Sequence, residues 1–202
     1  MLRFTLCLGL RWFLAFLSAI TASQLLGTQL ASPSTLFGFV EGCEARPQPC
    51  WHGVVPGTTS LQKAQAILEE RGYTNPRSLD QITVTYDAPP SSGLLTLNLI
   101  HQGSYLQLIG LYPHDSLPLA SVVARLGIPD GLTASSPRVY IGVAYGRHVR
   151  IGLLDLPQER LSPYAARIRF ITLNHEPVEI LPWHGFVPLW RYCHFEPDHP
   201  AC

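Results

Sequence analysis

The sequence predicts an α+β fold in which two tandem helix-plus-three-strand units form one antiparallel sheet, with the helices on one face. Two amphipathic helix patterns recur about 56 residues apart, and each precedes short segments in which apolar and polar residues alternate. A long charge-free segment comes before both units and predicts an N-terminal transmembrane helix. The 202 residues therefore divide into a membrane anchor or signal segment (1–31), a stalk (32–50) and an extracytoplasmic domain (51–202).

The N-terminal segment is predicted to anchor the chain in a membrane. Residues 12–40 contain no Asp, Glu, Lys or Arg, and a helix over 12–30 would be about 30 Å long, enough to cross a bilayer. Arg3 and Arg11 precede it, and positive charge favours the cytoplasmic side, so the bulk of the chain is expected to be extracytoplasmic. The expected location is therefore the cell membrane, with a single pass. A cleaved signal peptide is the alternative, and it would leave a secreted soluble protein.

Four of the five cysteines form two local pairs. Cys43 and Cys50 lie at the end of the stalk, which is rich in Pro, Ser and Gly, whereas Cys193 and Cys202 lie in the last ten residues. In an oxidising compartment four thiols most simply form two disulfides, although the sequence allows three pairings. Pairing of neighbours would close two short loops and fix both ends of the domain.

The first predicted unit, about 51–111, begins with a helix over 60–71. An apolar stripe at helical spacing supports this helix, with Thr59 as its expected N-cap and Gly72 as its expected end. Three strands are expected to follow, at 81–86, 94–101 and 104–111, the last two joined as a hairpin across Gln102-Gly103.

The second predicted unit, about 112–174, repeats this pattern. Asp115 or Ser116 is the expected cap of its helix, and Pro118 is expected in the first turn. Strands are expected at 138–145, 148–155 and 166–174, and an aromatic tail, 175–202, follows. Duplication of one unit explains the pattern; two unrelated amphipathic helices are the alternative.

Two short windows resemble the repeat of the SmpA/BamE-like envelope proteins. The first is Gly-Val-Val-Pro-Gly-Thr-Thr at 53–59, before the first helix, and the second is Leu-Gly-Ile-Pro-Asp at 126–130, after the second helix. The resemblance implies a tandem two-layer α/β unit, as also seen in folds of the β-lactamase-inhibitor-protein type. It also implies binding to other proteins rather than catalysis, with an envelope protein as the expected partner.

The sequence carries no known catalytic or cofactor-binding motif. It lacks G-x-S-x-G, H-E-x-x-H, the phosphate-binding loop and the dinucleotide-binding G-x-G-x-x-G. Fourteen basic and fourteen acidic residues give a formal net charge of zero, which argues against a nucleic-acid partner because displacing counterions requires a basic excess. The expected function is non-enzymatic binding or scaffolding at the cell envelope, with no cofactor and with the membrane as a further partner.

The C-terminal residues hold the best candidate metal ligands of the sequence. These are Cys193, His194, Glu196, Asp198, His199 and Cys202. Thiolate and imidazole suit zinc, but adjacent Cys-His ligands strain a tetrahedral site, and the spacing matches no common zinc finger. A disulfide is therefore favoured over a metal site, and a metal-dependent or histidine-based envelope enzyme is kept as the alternative function.

Two candidate binding surfaces remain. The first is a basic stripe on the open sheet face of the second unit, formed by Arg138, Arg150, Arg167 and Arg169. Such a stripe suits an acidic protein or a lipid headgroup, although an ordinary solvated face is the favoured interpretation. The second is the aromatic tail, which is either a contact patch or part of the core. Its members are Phe186, Leu189, Trp190, Tyr192 and Phe195, and Trp183, which precedes them, is a further candidate binding residue.

The tripeptide Trp-His-Gly occurs twice, at 51–53 and at 183–185. One interpretation is a paired aromatic and histidine surface for a ligand. The favoured interpretation is structural, because a large aromatic ring beside a small glycine suits the closure of each end of a core.

Overall fold

A computed structural model of the chain describes residues 34–39, 41–44, 49–115, 117–135, 140–154, 161–188 and 191–192. The strands are β1 (Thr74–Ser78), β2 (Thr83–Asp87), β3 (Leu94–Gln102), β4 (Tyr105–Pro113), β5 (Leu117–Pro118), β6 (Gly131–Ser135), β7 (Tyr140–Tyr145), β8 (Val149–Leu154), β9 (Arg167–Asn174) and β10 (Leu181–Pro182). The α-helices are α1 (Leu61–Glu70) and α2 (Leu119–Leu126), and the 3-10 helices are η1 (Ser34–Phe39) and η2 (Pro90–Ser92). All ten strands join one antiparallel sheet in the order β1-β2-β3-β4-β9-β8-β7-β6-β10, with β5 paired to β9 off this path.

The predicted α+β class with two helix-plus-three-strand units is wrong. The described residues form mainly one large antiparallel sheet, with only two α-helices among them. Among the described residues, five strands follow each helix along the chain, where three were predicted. The four strands that were not predicted are β1, β5, β6 and β10. These four are short strands without a clear alternation of apolar and polar residues, so their side-chain pattern carries little signal.

The predicted transmembrane helix is not seen either. Within the described ranges, no helix is long and apolar enough to cross a bilayer. The predicted anchor or signal segment, 1–31, lies outside the described residues.

Both helices begin at caps other than the predicted ones. The N-cap of α1 is Ser60, whose hydroxyl accepts a hydrogen bond from the Lys63 backbone N–H at 3.3 Å. Thr59, the predicted cap, instead accepts from the Val55 backbone N–H at 2.9 Å. The N-cap of α2 is Pro118, which has no side-chain acceptor, so the prediction of Asp115 or Ser116 is wrong. Pro118 is compatible with that position because its backbone is extended there, and its φ of −68° is the value that the proline ring fixes.

One face of the sheet, called the core face here, is buried together with both helices. Leu97 and Leu99 of β3 face the same core as Ile109 and Leu111 of β4, and Ile171 of β9 continues it. Ala64 and Leu68 of α1 and Leu119 and Val122 of α2 belong to the same cluster. Burial of apolar area on one side of the sheet therefore positions both helices.

The opposite side of the sheet, called the second face here, carries a row of cross-strand partners. They are Asn98, Gly110, Thr172, Arg150 and Ala144 on β3, β4, β9, β8 and β7. In the adjacent row, Phe170 is paired with Gly152, which is paired with Gly142. Small residues on these strands leave room above the sheet for the few large side chains of this face.

The two edges of the sheet are β1 and β10. All residues of β1 are exposed, and its register is irregular between Thr74 and Arg77, where Pro76 lies. Strand β10 has only two residues, of which the second is Pro182. Both edges are therefore short or irregular, and both contain a proline.

Candidate functional site

The second face holds two half-buried aromatic rings and one half-buried arginine. The Tyr112 and Phe170 ring centroids lie 6.4 Å apart, and the Arg150 guanidinium carbon lies 5.8 Å from the Phe170 centroid. The Phe170 ring lies flat against Gly152, where a Cβ atom would collide with it. Because Gly152 has no side chain, the Phe170 ring can lie against the sheet there. The ring is then within cation–π distance of the Arg150 guanidinium.

Arg150 is partly desolvated at this position. Burial lowers the pKa of Arg150 from its usual value, but a guanidinium remains protonated at neutral pH. The second face therefore offers a positive charge beside aromatic surface. A hollow of about 360 Å³ adjoins it at the end of β3, β4 and β9, with Ile100, Leu108 and Asn174 among its lining residues.

The structure describes only part of the predicted basic stripe, and Arg150 and Arg169 do not share one row of the sheet. Arg150 is paired with Thr172 in the regular part of the sheet. Arg169 lies where the β8–β9 register shifts, because Phe170 is paired with Gly152 and Ile168 with Leu153. Arg169 is exposed and is not in the same row as Arg150, and Arg138 lies outside the described residues.

The aromatic tail packs on itself and on the core. The Trp183 ring contacts Phe186 edge to face at 5.2 Å, and its centroid lies 6.4 Å from that of Tyr192. Tyr192 is 2% exposed, and Trp183 and Phe186 pack against the core cluster. These contacts favour the interpretation of the tail as part of the core. Leu189, Trp190 and Phe195 lie outside the described residues.

A second candidate site lies beside the end of α1. It is a cleft of about 310 Å³, called the His52 cleft here. Its lining residues are Trp51, His52, Arg71, Tyr73, Pro89, Ser91 and Ser92. The segment after the stalk, the end of α1 and η2 each contribute to it, so that it forms only when the chain folds.

A carboxylate bridges two basic side chains at the edge of this cleft. Arg71 donates through Nη1 to Oε2 of Glu41 at 2.8 Å, and Nδ1 of His52 lies 3.3 Å from the same oxygen. The hydrogen bond and charge of Arg71 lower the pKa of Glu41. Burial, together with the charge of Arg71, lowers the pKa of His52, although Glu41 opposes this effect. Glu41 is therefore ionised at neutral pH, and His52 is mainly neutral.

Three buried polar atoms of the cleft residues form no hydrogen bond of normal geometry among the described residues. They are Nε1 of Trp51, which lies against Gly38, Nδ1 of His52, which has only the 3.3 Å contact with Glu41, and the phenol oxygen of Tyr73. Burial raises the pKa of Tyr73 to about 12, although the neighbouring Ser92 hydroxyl and the charge of Arg71 oppose this effect, so its phenol stays protonated. The nearby Ser92 hydroxyl already donates to the Pro89 carbonyl at 2.7 Å and accepts from the Leu94 N–H at 3.1 Å.

The predicted disulfide between Cys43 and Cys50 is confirmed, with Cα atoms 5.8 Å apart. It closes the short loop between Glu41 and Trp51, and it therefore holds the two sides of the Glu41–His52 contact together. Cys193 and Cys202 lie outside the described residues, together with the candidate zinc ligands between them. Among the residues that are described, no group of His, Cys, Asp and Glu could hold a metal ion.

Sequence reasoning singled out only Trp51 and His52 of the His52 cleft. It missed Glu41, which is far from the other two in the sequence, and Arg71 and Tyr73, which follow α1 but belong to no motif. The positions of Glu41 and Arg71 differ by 30 residues, and only the folded chain brings them together.

Comparison with known proteins found no match of the chain to a family model, to a curated protein or to a solved structure. The resemblance to the SmpA/BamE-like repeat therefore stays a prediction.

Proposed function

We propose that this chain is a non-enzymatic binding domain, and that the second face of its sheet contacts a protein partner. The observation that carries this proposal is the side-by-side placement of Arg150, Phe170 and Tyr112, all half-buried, on a face with several small residues. Aromatic residues and arginine are the types enriched in the energetically important centres of protein interfaces.

The proposed location is the extracytoplasmic side of the cell membrane, with attachment through residues 1–31. The Cys43–Cys50 disulfide supports it, because disulfides persist mainly in oxidising compartments. The charge-free segment at 12–40 supports attachment. An envelope protein, as implied by the SmpA/BamE-like windows, is the proposed partner.

Site-specific photo-crosslinking in the producing cells tests the proposed contact surface. A photoreactive amino acid replaces Thr172, which lies beside Arg150 on the second face, in the full-length chain. The matched control places it at Gln62, an exposed position of α1. We expect one discrete cross-linked protein from position 172, none from position 62, and loss of the product when Phe170→Ala is added. Equal cross-linking from both positions, or none from position 172, would contradict the proposal.

A further inference from the structure

The hollow of about 360 Å³ beside the second face is called the end hollow here. Its floor contains three cross-strand partners, Ile100 on β3, Leu108 on β4 and Asn174 on β9. This row lies two residues along the strands from the row that holds Gly110 and Thr172, so its side chains point to the same side of the sheet. The end hollow is therefore continuous with the surface that is proposed to contact a partner.

A β-bulge lets two consecutive residues of β4 line the end hollow. Ile100 is paired with Leu108, but His101 is paired with Leu106, so Gln107 is the extra residue of the bulge. Consecutive residues of a regular strand face opposite sides of the sheet, yet Gln107 and Leu108 both line the hollow. Bulges redirect side chains in this way and are over-represented next to active sites. The bulge therefore adds an amide group to an apolar floor.

The wall of the end hollow that follows β9 is held to the sheet by backbone hydrogen bonds. The His175 N–H donates to the Gln107 carbonyl at 2.8 Å, and the Val178 N–H donates to the Arg147 carbonyl at 2.7 Å. The His175 ring also lies against Gly57, where a Cβ atom would collide with it. The wall is therefore pre-organised, and binding there requires little ordering of the chain.

The polar atoms of the end hollow suit a cation. Among the described residues that line it, Glu176 is the one charged residue, and its exposed carboxylate forms no ion pair with another described residue. Nδ2 of Asn174 donates to the His148 carbonyl and to Oγ1 of Thr172, both at 3.3 Å, whereas no described group donates to its Oδ1. The hollow therefore offers a carboxylate and an amide oxygen as acceptors, and lysine and arginine side chains carry donors only.

The apolar part of the end hollow suits the stem of a basic side chain. Ile100, Leu108, Pro177 and Val178 line it, and none of the four is buried. Lysine and arginine place their methylene stems on apolar surface and keep the charged end in water. A volume of about 360 Å³ holds about twelve groups of water size, at about 30 Å³ each, which is more than one such side chain contains.

The guanidinium of Arg150 lies outside the end hollow. It is 5.8 Å from the centre of the Phe170 ring, which lies against Gly152. Phe170 and Asn174 are four residues apart on β9, and Arg150 is not among the lining residues of the hollow. The carboxylate of Glu176 therefore sets the sign of the charge within the hollow.

We infer that the end hollow receives a lysine or arginine side chain of the protein partner. Its stem lies on Ile100 and Leu108, and its charged end lies between the Glu176 carboxylate and Oδ1 of Asn174. This inference rests on the proposed contact of the second face with a protein, and it adds the residue type that the partner presents. Because the contact is open to solvent, the ion pair is weak and changes affinity by only a few-fold.

Saturation-transfer NMR tests the charge preference without the partner, because it observes the probe and is applicable to the full-length chain in detergent. The probes are Nα-acetyl-arginine amide and Nα-acetyl-citrulline amide, which have nearly the same shape but differ in charge. We expect saturable binding of the arginine probe, with a Kd about threefold lower than that of the citrulline probe. In Glu176→Gln the two Kd values should become equal.

Glu179→Gln is the matched control for this titration. Glu179 is also an exposed acid of the segment after β9, but it does not line the end hollow, so its variant should keep the preference for the arginine probe. The exposed position of Glu176 makes a folding defect in Glu176→Gln an unlikely source of the change, and circular dichroism checks this. Equal binding of both probes by the parent protein, no saturable binding of either, or a preference that survives in Glu176→Gln would overturn the inference.

The cross-linked product from position 172 separates this inference from the proposed function. Glu176→Lys should lower the yield of that product several-fold, because it places a cation where the basic side chain of the partner binds. Glu179→Lys makes the same change of charge outside the end hollow and should leave the yield unchanged. Equal yields in the two variants would overturn the inference and leave the contact of the second face intact. Absence of any product from position 172 would contradict the proposed function itself, and the inference would fall with it.

Discussion

The two Trp-His-Gly tripeptides have the same local sequence but different surroundings. In each of them the glycine has a left-handed backbone, with φ of +82° at Gly53 and +86° at Gly185. Each tryptophan also lies near a tyrosine: Trp51 is 5.6 Å from Tyr73, and Trp183 is 6.4 Å from Tyr192, between ring centroids. The turn and the Trp–Tyr neighbourhood are therefore common to both copies.

The copies differ in what their tyrosine hydroxyl contacts. Tyr192 donates to the Gly185 carbonyl at 2.7 Å and accepts from the His184 backbone N–H at 3.2 Å, so the second tripeptide satisfies its own tyrosine. The Tyr73 hydroxyl forms no comparable pair of hydrogen bonds among the described residues; the Ser92 hydroxyl is its neighbour. The same tripeptide therefore has a structural role at one site, where the nearby tyrosine is hydrogen-bonded to it, and lines a cleft at the other site.

The largest expected difference concerns the two tryptophans. Trp51 is 1% exposed, and Trp51→Ala should lower the free energy of unfolding by about 3–5 kcal/mol, because a large buried ring leaves a cavity. Trp183 is only half-buried, and Trp183→Ala should cost about 1–2 kcal/mol. Urea denaturation of both variants, followed by circular dichroism, measures the difference. Equal losses would mean that the two rings are equally important for the core.

Removal of the disulfide tests what holds the first tripeptide in place. The double variant Cys43→Ser/Cys50→Ser should lower the free energy of unfolding by about 2–3 kcal/mol, because the unfolded chain gains freedom in a short loop. Reduction of a Cys193→Ser/Cys202→Ser variant, in which Cys43–Cys50 is the one predicted disulfide left, should give the same loss in urea denaturation, which serves as the control. A double variant as stable as the oxidised parent would show that the loop is held by its other contacts alone.

The two tyrosines are expected to give effects of opposite sign. Tyr73→Phe removes a buried hydroxyl that forms no hydrogen bond of normal geometry among the described residues, and it should raise the free energy of unfolding by about 1 kcal/mol. Tyr192→Phe removes a hydroxyl with two partners and should lower it by about 1 kcal/mol. Both values come from paired denaturation curves. Destabilisation by both variants would contradict the contrast between the two tripeptides.

The smallest expected effect is a pH dependence at His52. Its pKa in the folded protein is lowered, mainly by burial and then by Arg71, relative to about 6.5 in the unfolded chain. The unfolded state therefore binds the proton more readily. The stabilisation is complete above about pH 6.5 and is lost as the pH falls through the lower folded pKa.

We therefore expect the free energy of unfolding to decline as the pH falls below about 6.5, and His52→Gln to reduce that decline. The low pKa values of Glu41, Asp80 and Asp87 keep the titration of these carboxylates below this window. Denaturation curves at several pH values measure the slope. An unchanged slope in His52→Gln would assign the effect to other groups.

Part of the fold could be predicted from the sequence because burial on one side leaves a periodic pattern. Ala64 and Leu68 of α1 and the alternating residues of the β3–β4 hairpin are examples, and both elements lie within two residues of the predicted positions. Strand β1 could not be predicted, because all five of its residues are exposed and no face of it is buried. An edge strand with proline carries no apolar alternation to detect.

The candidate sites were harder to predict than the strands. Arg150 and Trp183 were recognisable from residue type and position within an element. Glu41, Arg71 and Tyr73 were not, because their proximity depends on the packing of the stalk against the end of a helix. Such contacts are set by the tertiary fold, whereas local periodicity reports only which side of an element is buried.

The prolines at the two sheet edges have a consequence for self-association. Pro76 and Pro182 have no backbone N–H, and they occur in β1 and β10, the strands with which another chain would have to pair. A sheet of ten strands would otherwise be a template for edge-to-edge growth into fibrils. The irregular β1 and the two-residue β10 therefore oppose the addition of further strands at both edges of the sheet.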